Sequence, residues 1–166
     1  RYDYDLGFVD FDIIKFDGVN SHIVATETWV DDKYGKTVGT LYWSCAGVHF
    51  DAIEPSGMLV VKNLAGYIYM EQDGVSLVAN VDLLNGATIT KVVVYGNAAA
   101  SAESWSLGRM LLTTGTRTLL ADGFINTEDD SITDPVVDNS LYAYQIRTTS
   151  LDQDDQVNGA RITYTL

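Results

Sequence analysis

Leu141-Tyr142-Ala143-Tyr144-Gln145-Ile146-Arg147 and Ile162-Thr163-Tyr164-Thr165-Leu166 decide the fold class. In the first stretch, Tyr142, Tyr144 and Ile146 share one side of an extended chain, and Leu141, Ala143, Gln145 and Arg147 take the other. In the second, Ile162, Tyr164 and Leu166 alternate with Arg161, Thr163 and Thr165. Successive side chains of a pleated backbone point to opposite sides, so a period of two marks a strand with one buried face.

The same period extends towards the amino terminus, where Val9, Phe11 and Ile13 alternate with Asp10 and Asp12. Helix signals are nearly absent, and β-branched and aromatic residues dominate the apolar set. Asp-Gly at 17–18, 73–74 and 122–123 and Asn-Gly at 85–86 and 158–159 read as tight turns, because these pairs tolerate positive φ. Thr114-Gly115, Tyr95-Gly96 and Tyr34-Gly35 are weaker breaks. The pattern predicts strands near 7–16, 21–30, 38–43, 45–50, 58–62, 66–71, 75–82, 88–95, 104–112, 116–125, 141–149 and 157–166. Ala98–Glu103 is read as a loop. The expected fold is all-β: an antiparallel β-sandwich of jelly-roll type, with a closed barrel as the second choice. Residues 1–166 form a single domain in this reading, and 1–36 are either an N-terminal arm or its first strands.

The chain has 166 residues, with 23 acidic and 10 basic side chains and a net charge of −13. That balance excludes nucleic acid, whose binding rests on Lys and Arg displacing counterions, and it disfavours an anionic membrane surface. The apolar runs, such as Met58–Val61 and Val92–Tyr95, are strand-sized and too short to span a bilayer as a helix. The lone Cys45 excludes an intrachain disulfide framework. A start at Arg1 leads to the expectation of a removed leader or a longer precursor. There is no Asn-x-Ser/Thr sequon.

Four segments carry a family resemblance. They are Leu84–Thr90 followed by Val92–Tyr95, Leu107–Met110 with Thr114-Gly115, Val137–Ser140 with Tyr142–Tyr144, and Asn158–Thr165. In that order, residues 45–166 resemble an uncharacterised β-sandwich domain recurrent in secreted prokaryotic proteins. The resemblance implies an exported, non-enzymatic β protein and carries over no catalytic residue.

Chemistry is sparse. His22 and His49 are the only histidines, and no Gly-x-Ser-x-Gly elbow accompanies them. Cys45 and His49 lie four apart, about 13 Å along a strand, and meet only if Ala46-Gly47 turns the chain. With His22 they lack the paired spacing of a zinc set. Twenty-three acids always supply some pair at a glycosidase separation, so abundance says nothing. Calcium is the candidate cation, with Asp129, Asp130 and Asp134 in one loop and Asp152, Asp154 and Asp155 in another. Trp105 and Trp43 fall in register with Leu107 and Leu41 and read as core. Trp29, beside Asp31 and Asp32, is the candidate sugar platform, supported by surface tyrosines.

Phe8, Val9, Phe11, Ile13, Ile14 and Phe16 place apolar groups on both faces of the first strand. A strand covered on both faces suits addition to a neighbour's sheet. The expected function is a secreted, non-enzymatic subunit of an extracellular filament or surface layer, assembled by strand addition with copies of itself. The alternative is a carbohydrate-binding or adhesion module with surface glycans as partners.

Overall fold

The computed structural model describes residues 39–53 and 60–166, all within one unit, Val38–Leu166. The strands expected at 7–16 and 21–30, and the choice between arm and first strands for 1–36, lie outside the described residues.

Among the described residues, ten strands form two antiparallel sheets, as the alternation requires. They are β1 (Leu41–Ala46), β2 (Asp51–Ala52), β3 (Val60–Lys62), β4 (Ile68–Met70), β5 (Leu77–Val81), β6 (Thr88–Gly96), β7 (Ser104–Leu111), β8 (Arg117–Phe124), β9 (Tyr142–Thr148) and β10 (Gln156–Thr165). In the first sheet, β10 lies between β6 on one side and β1 and β4 on the other, with β3 beyond β4. The second sheet has the order β2-β5-β9-β7-β8. The architecture is the antiparallel sandwich of jelly-roll type read from the sequence.

The inner faces meet in one core. Tyr144 and Ile146 of β9, Trp105 and Leu107 of β7, Leu77 and Ala79 of β5 and Ile162 of β10 are all buried, on the side their parity assigned. Fully burying a Leu or Ile contributes about 1.5–3 kcal/mol, so these layers supply the main stabilising force. Trp105 Nε1 donates to the carbonyl oxygens of Phe124 at 3.0 Å and Thr127 at 3.3 Å, so its polar atom enters the core satisfied. The connection from β8 to β9 runs along the free edge of β6. The N–H groups of Val92 and Asp129 each donate to the other's carbonyl at 2.9 Å, and Ile89 N–H donates to Pro135 O at 2.9 Å. This pairing occupies backbone groups that an open edge would present to other chains.

Four expectations are corrected. The strands expected at 38–43 and 45–50 are one strand, β1, followed by a single 3-10 turn at Gly47–His49. Cys45 and Ala46 still pair with Ala160 and Gly159, so β1 continues through Ser44. The chain then turns at Gly47, where an added Cβ would stand 2.0 Å from Val157 O. Asp122-Gly123 is not a turn but lies inside β8, because the indole of Trp105 occupies the space beside Gly123. Asn158-Gly159 lies inside β10 at a register shift, where a Cβ on Gly159 would stand 2.4 Å from Cys45 O. Ala99–Ala102, read as a loop, forms a short 3-10 turn.

Candidate functional site

β1, β10 and β6 lie side by side, so their outward residues form one surface. Ser44, Arg161 and Val93 stand in register across the three strands. Tyr42 lies one pleat to one side of that row, opposite Thr163, and Tyr95 lies one pleat to the other, opposite Gly159. The guanidinium of Arg161 sits between the two rings, with Cζ 5.8 Å from the Tyr42 centroid and 5.7 Å from the Tyr95 centroid. Both distances fall within the range of cation–π attraction. Tyr42 is 63% exposed and Tyr95 38%.

The charge at the centre is anchored. Glu128 accepts from Lys91 Nζ at 2.8 Å through one oxygen and from Arg161 Nη2 at 3.3 Å through the other. The hydrogen bond from Lys91, with its charge and that of Arg161, holds the Glu128 carboxyl below the usual range, and the same bond raises Lys91. The result is a surface of two exposed aromatic rings around a fixed network of three charged groups. Aromatic faces accept the apolar faces of polar ligands, and the flanking donors and acceptors match hydroxyl groups.

A second concavity lies at one end of the sandwich, a cleft of about 450 Å³ lined by Asn80, Asp82, Leu112, Asn139 and Tyr142 among others. The face of the Tyr142 ring is covered by Arg109, whose Cζ is 4.4 Å from the centroid and whose Nη2 donates to Asp134 Oδ2 at 2.9 Å.

Of the candidate residues named from the sequence, the described ones are not among those that form the surface around Tyr42 and Tyr95. Trp29 and the apolar set Phe8, Val9, Phe11, Ile13, Ile14 and Phe16 lie outside the described residues, as does His22. Asp129 accepts from the Ser131 hydroxyl at 2.6 Å, the Ser131 N–H at 2.9 Å and the Asp122 N–H at 3.1 Å. Burial pushes its carboxyl up, but these bonds together outweigh it and hold the carboxyl below its ordinary value. Asp134 pairs with Arg109, and the buried Asp155 accepts from the Asp152 N–H at 2.8 Å. Asp130, Asp152 and Asp154 are exposed. Among the described residues no three His, Cys, Asp or Glu side chains converge into a metal-holding group. The turn between Cys45 and His49 exists, yet Cys45 packs against the core while His49 is exposed. Burial raises the Cys45 thiol, which keeps it protonated and weakly nucleophilic. Trp43 is half-buried and Trp105 fully buried, as their parity indicated.

Tyr42 and Tyr95 were not individually legible as a site. The parity that puts Leu41 and Trp43 inward places Tyr42 outward, which was the available signal. Nothing local joined it to Tyr95, 53 residues on.

No protein-family model matches the sequence, and no curated protein matches it. Among solved structures, the C-terminal CBM6 of LamC, a marine laminarinase from Zobellia galactanivorans, aligns with a TM-score of 0.48 at 11% identity, covering 74% of this chain and 99% of that one. The xylan-binding module CBM15 aligns at 0.37 and 15% identity, covering 75% of this chain and 97% of that one. A family two carbohydrate esterase from Cellvibrio japonicus aligns at 0.40 and 7% identity. The alignment covers 77% of this chain but only 35% of that one. The expectation of a self-assembling filament or surface-layer subunit is corrected at this point. These three structures include two carbohydrate-binding modules and no filament or surface-layer subunit. Among the described residues, no helix is long and apolar enough to cross a membrane.

Proposed function

We propose that this chain is a non-catalytic carbohydrate-binding module that works outside the cell and holds surface glycans on the Tyr42–Arg161–Tyr95 face. One observation carries the reading: two exposed tyrosine rings flank an arginine that Glu128 and the sheet hold in place. The rings come from strands hydrogen-bonded to the same central strand, so their separation is set by the fold. A preorganised platform loses little conformational freedom on binding, which is what a weak, repetitive ligand requires. The apolar face of a pyranose stacks on each ring, while Arg161, Lys91 and Ser44 bond to its hydroxyl groups.

A glycan array followed by titration calorimetry on the best neutral oligosaccharide tests this. Tyr42→Ala and Tyr95→Ala are each expected to weaken binding about 5- to 15-fold, since a well-placed aromatic contact contributes about 1–1.5 kcal/mol. Unchanged affinity in the double variant, or no binding to any glycan, would overturn the reading.

A further inference from the structure

Six basic residues lie in the described part of the chain: Lys62, Lys91, Arg109, Arg117, Arg147 and Arg161. Four of them hold a carboxylate: Lys62 pairs with Asp51, Lys91 and Arg161 with Glu128, and Arg109 with Asp134. Arg117 and Arg147 have no ion-pair partner among the described residues, although the chain carries a net charge of −13. These two stand together on the outer face of the second sheet, the side of the sandwich opposite the tyrosine platform.

The strand register brings them together. Arg147 of β9 is directly opposite Ser106 of β7. Arg117 of β8 starts two rows further along, opposite Met110, and reaches back over Gly108. Its Nη2 donates to Ser106 Oγ at 2.9 Å and to Ser106 O at 3.3 Å. The guanidinium lies flat on the strand because position 108 has no side chain: a Cβ there would stand 2.6 Å from both Cζ and Nε. Arg147 is held from the other side, with Nη2 donating to Gln145 Oε1 at 3.1 Å. Both anchors are neutral, so neither cancels charge. Burial and the charge of Arg147 together lower the Arg117 pKa, as expected for two cations held close without a counter-charge. Asp122, the acid nearest in register to Ser106, pairs with neither arginine.

We infer that the Arg117–Arg147 pair is a second binding site, one that takes the carboxylate of a uronic acid residue in a glycan. Two guanidinium groups present forked donors that match a carboxylate's two oxygens, and the anion relieves their repulsion. Gln145, Asn80 and Ser106 line the same outer face and offer the amide and hydroxyl groups that sugar hydroxyls bond to. The overall charge narrows the ligand further. A net charge of −13 repels a densely charged polyuronate at long range, whereas a short-range pair still captures an isolated carboxylate. The fitting ligand is a mainly neutral glycan bearing scattered uronates. This inference does not rest on the tyrosine platform.

Calorimetry at low and at physiological salt tests it, with a glucuronate-bearing xylo-oligosaccharide, the same oligosaccharide without its acid, polygalacturonate and a glutamate-rich peptide as probes. The acid-bearing oligosaccharide is expected to bind at least tenfold more tightly than the other three. Arg147→Gln and Arg117→Gln should each remove at least tenfold of that affinity, and Arg147→Lys a smaller part. Gly108→Ala, which displaces Arg117 while keeping its charge, should also weaken binding. Lys62→Gln removes the same charge from a different place and should change affinity less than twofold. Circular dichroism confirms that each variant is folded. The proposal is overturned if the neutral oligosaccharide binds equally well, if the peptide does, or if folded Arg147→Gln and Gly108→Ala both retain full affinity.

Discussion

The guanidinium carbon of Arg109 lies 4.4 Å from the centre of the Tyr142 ring, and the same side chain donates to Asp134 at 2.9 Å. One residue of β7 thereby joins a neighbouring strand to the loop that closes the sandwich edge. Arg109 is largely covered, its side chain 17% exposed, while that of Asp134 is 63% exposed. The two partners should therefore respond differently to removal. Asp134→Ala should cost no more than about 1 kcal/mol, the range of an exposed ion pair. Arg109→Ala also loses the stack and the packing of its alkyl chain, and should cost about 2–3 kcal/mol. Urea denaturation of both variants checks the order, and equal losses would refute it.

Trp105 tests how the core tolerates polarity. Trp105→Phe keeps a ring but leaves a gap and removes the donor to Phe124 O and Thr127 O. A loss of about 2–3 kcal/mol is expected, rising to about 3–5 kcal/mol for Trp105→Ala. Gly123→Ala should cost about 1–3 kcal/mol by crowding the same ring, since its Cβ would stand 3.1 Å from Cζ2. Thermal unfolding of the three variants gives the ranking.

Gly47 leaves no room for a side chain, because the atoms nearest to a Cβ there are backbone. An added Cβ would stand 2.0 Å from Val157 O and 3.0 Å from both Ile68 N and Tyr67 Cα. Backbone held in a sheet cannot move aside as a flexible side chain does. Gly47→Ala should cost more than about 3 kcal/mol and leave little folded protein. A variant with wild-type melting behaviour would contradict the close approach of the Gly47–His49 turn to β10.

Acid should destabilise the fold by a specific route. The carboxyls of Glu128, Asp129 and Asp138 all lie below their ordinary values in the folded chain. Glu128 is held down by Lys91 first. Asp129 is held down by its Ser131 and Asp122 hydrogen bonds, which outweigh its burial. Asp138 is held down chiefly by the Ser140 hydroxyl. A depressed folded pKa stabilises the protein above the unfolded value, and that contribution is lost as pH falls through the folded value. Stability should be flat near neutrality and fall below about pH 4, the ordinary carboxylate range. Asp129→Asn should flatten that fall. An acid limb of unchanged steepness in this variant would refute the assignment.

The sequence by itself determined the all-β class, the antiparallel sandwich and the burial of Trp105, Leu107, Tyr144, Ile146 and Ile162. These follow from a period of two, which is a local property: neighbouring residues alone settle which way a side chain points. It also located most strand positions, but not the break expected within β1 or the turns expected at Gly123 and Gly159. At those glycines the cause is a contact with a distant element, the Trp105 ring in one case and Cys45 O in the other. Both surfaces have the same origin. Tyr42, Arg161 and Tyr95 meet because β1 and β6 flank β10, and Arg117 reaches over Gly108 to Ser106, the residue opposite Arg147, because β7 lies between β8 and β9. Pairing between strands far apart in the chain is decided by how the apolar faces close over one another. Only the tertiary structure could place these charges and rings side by side.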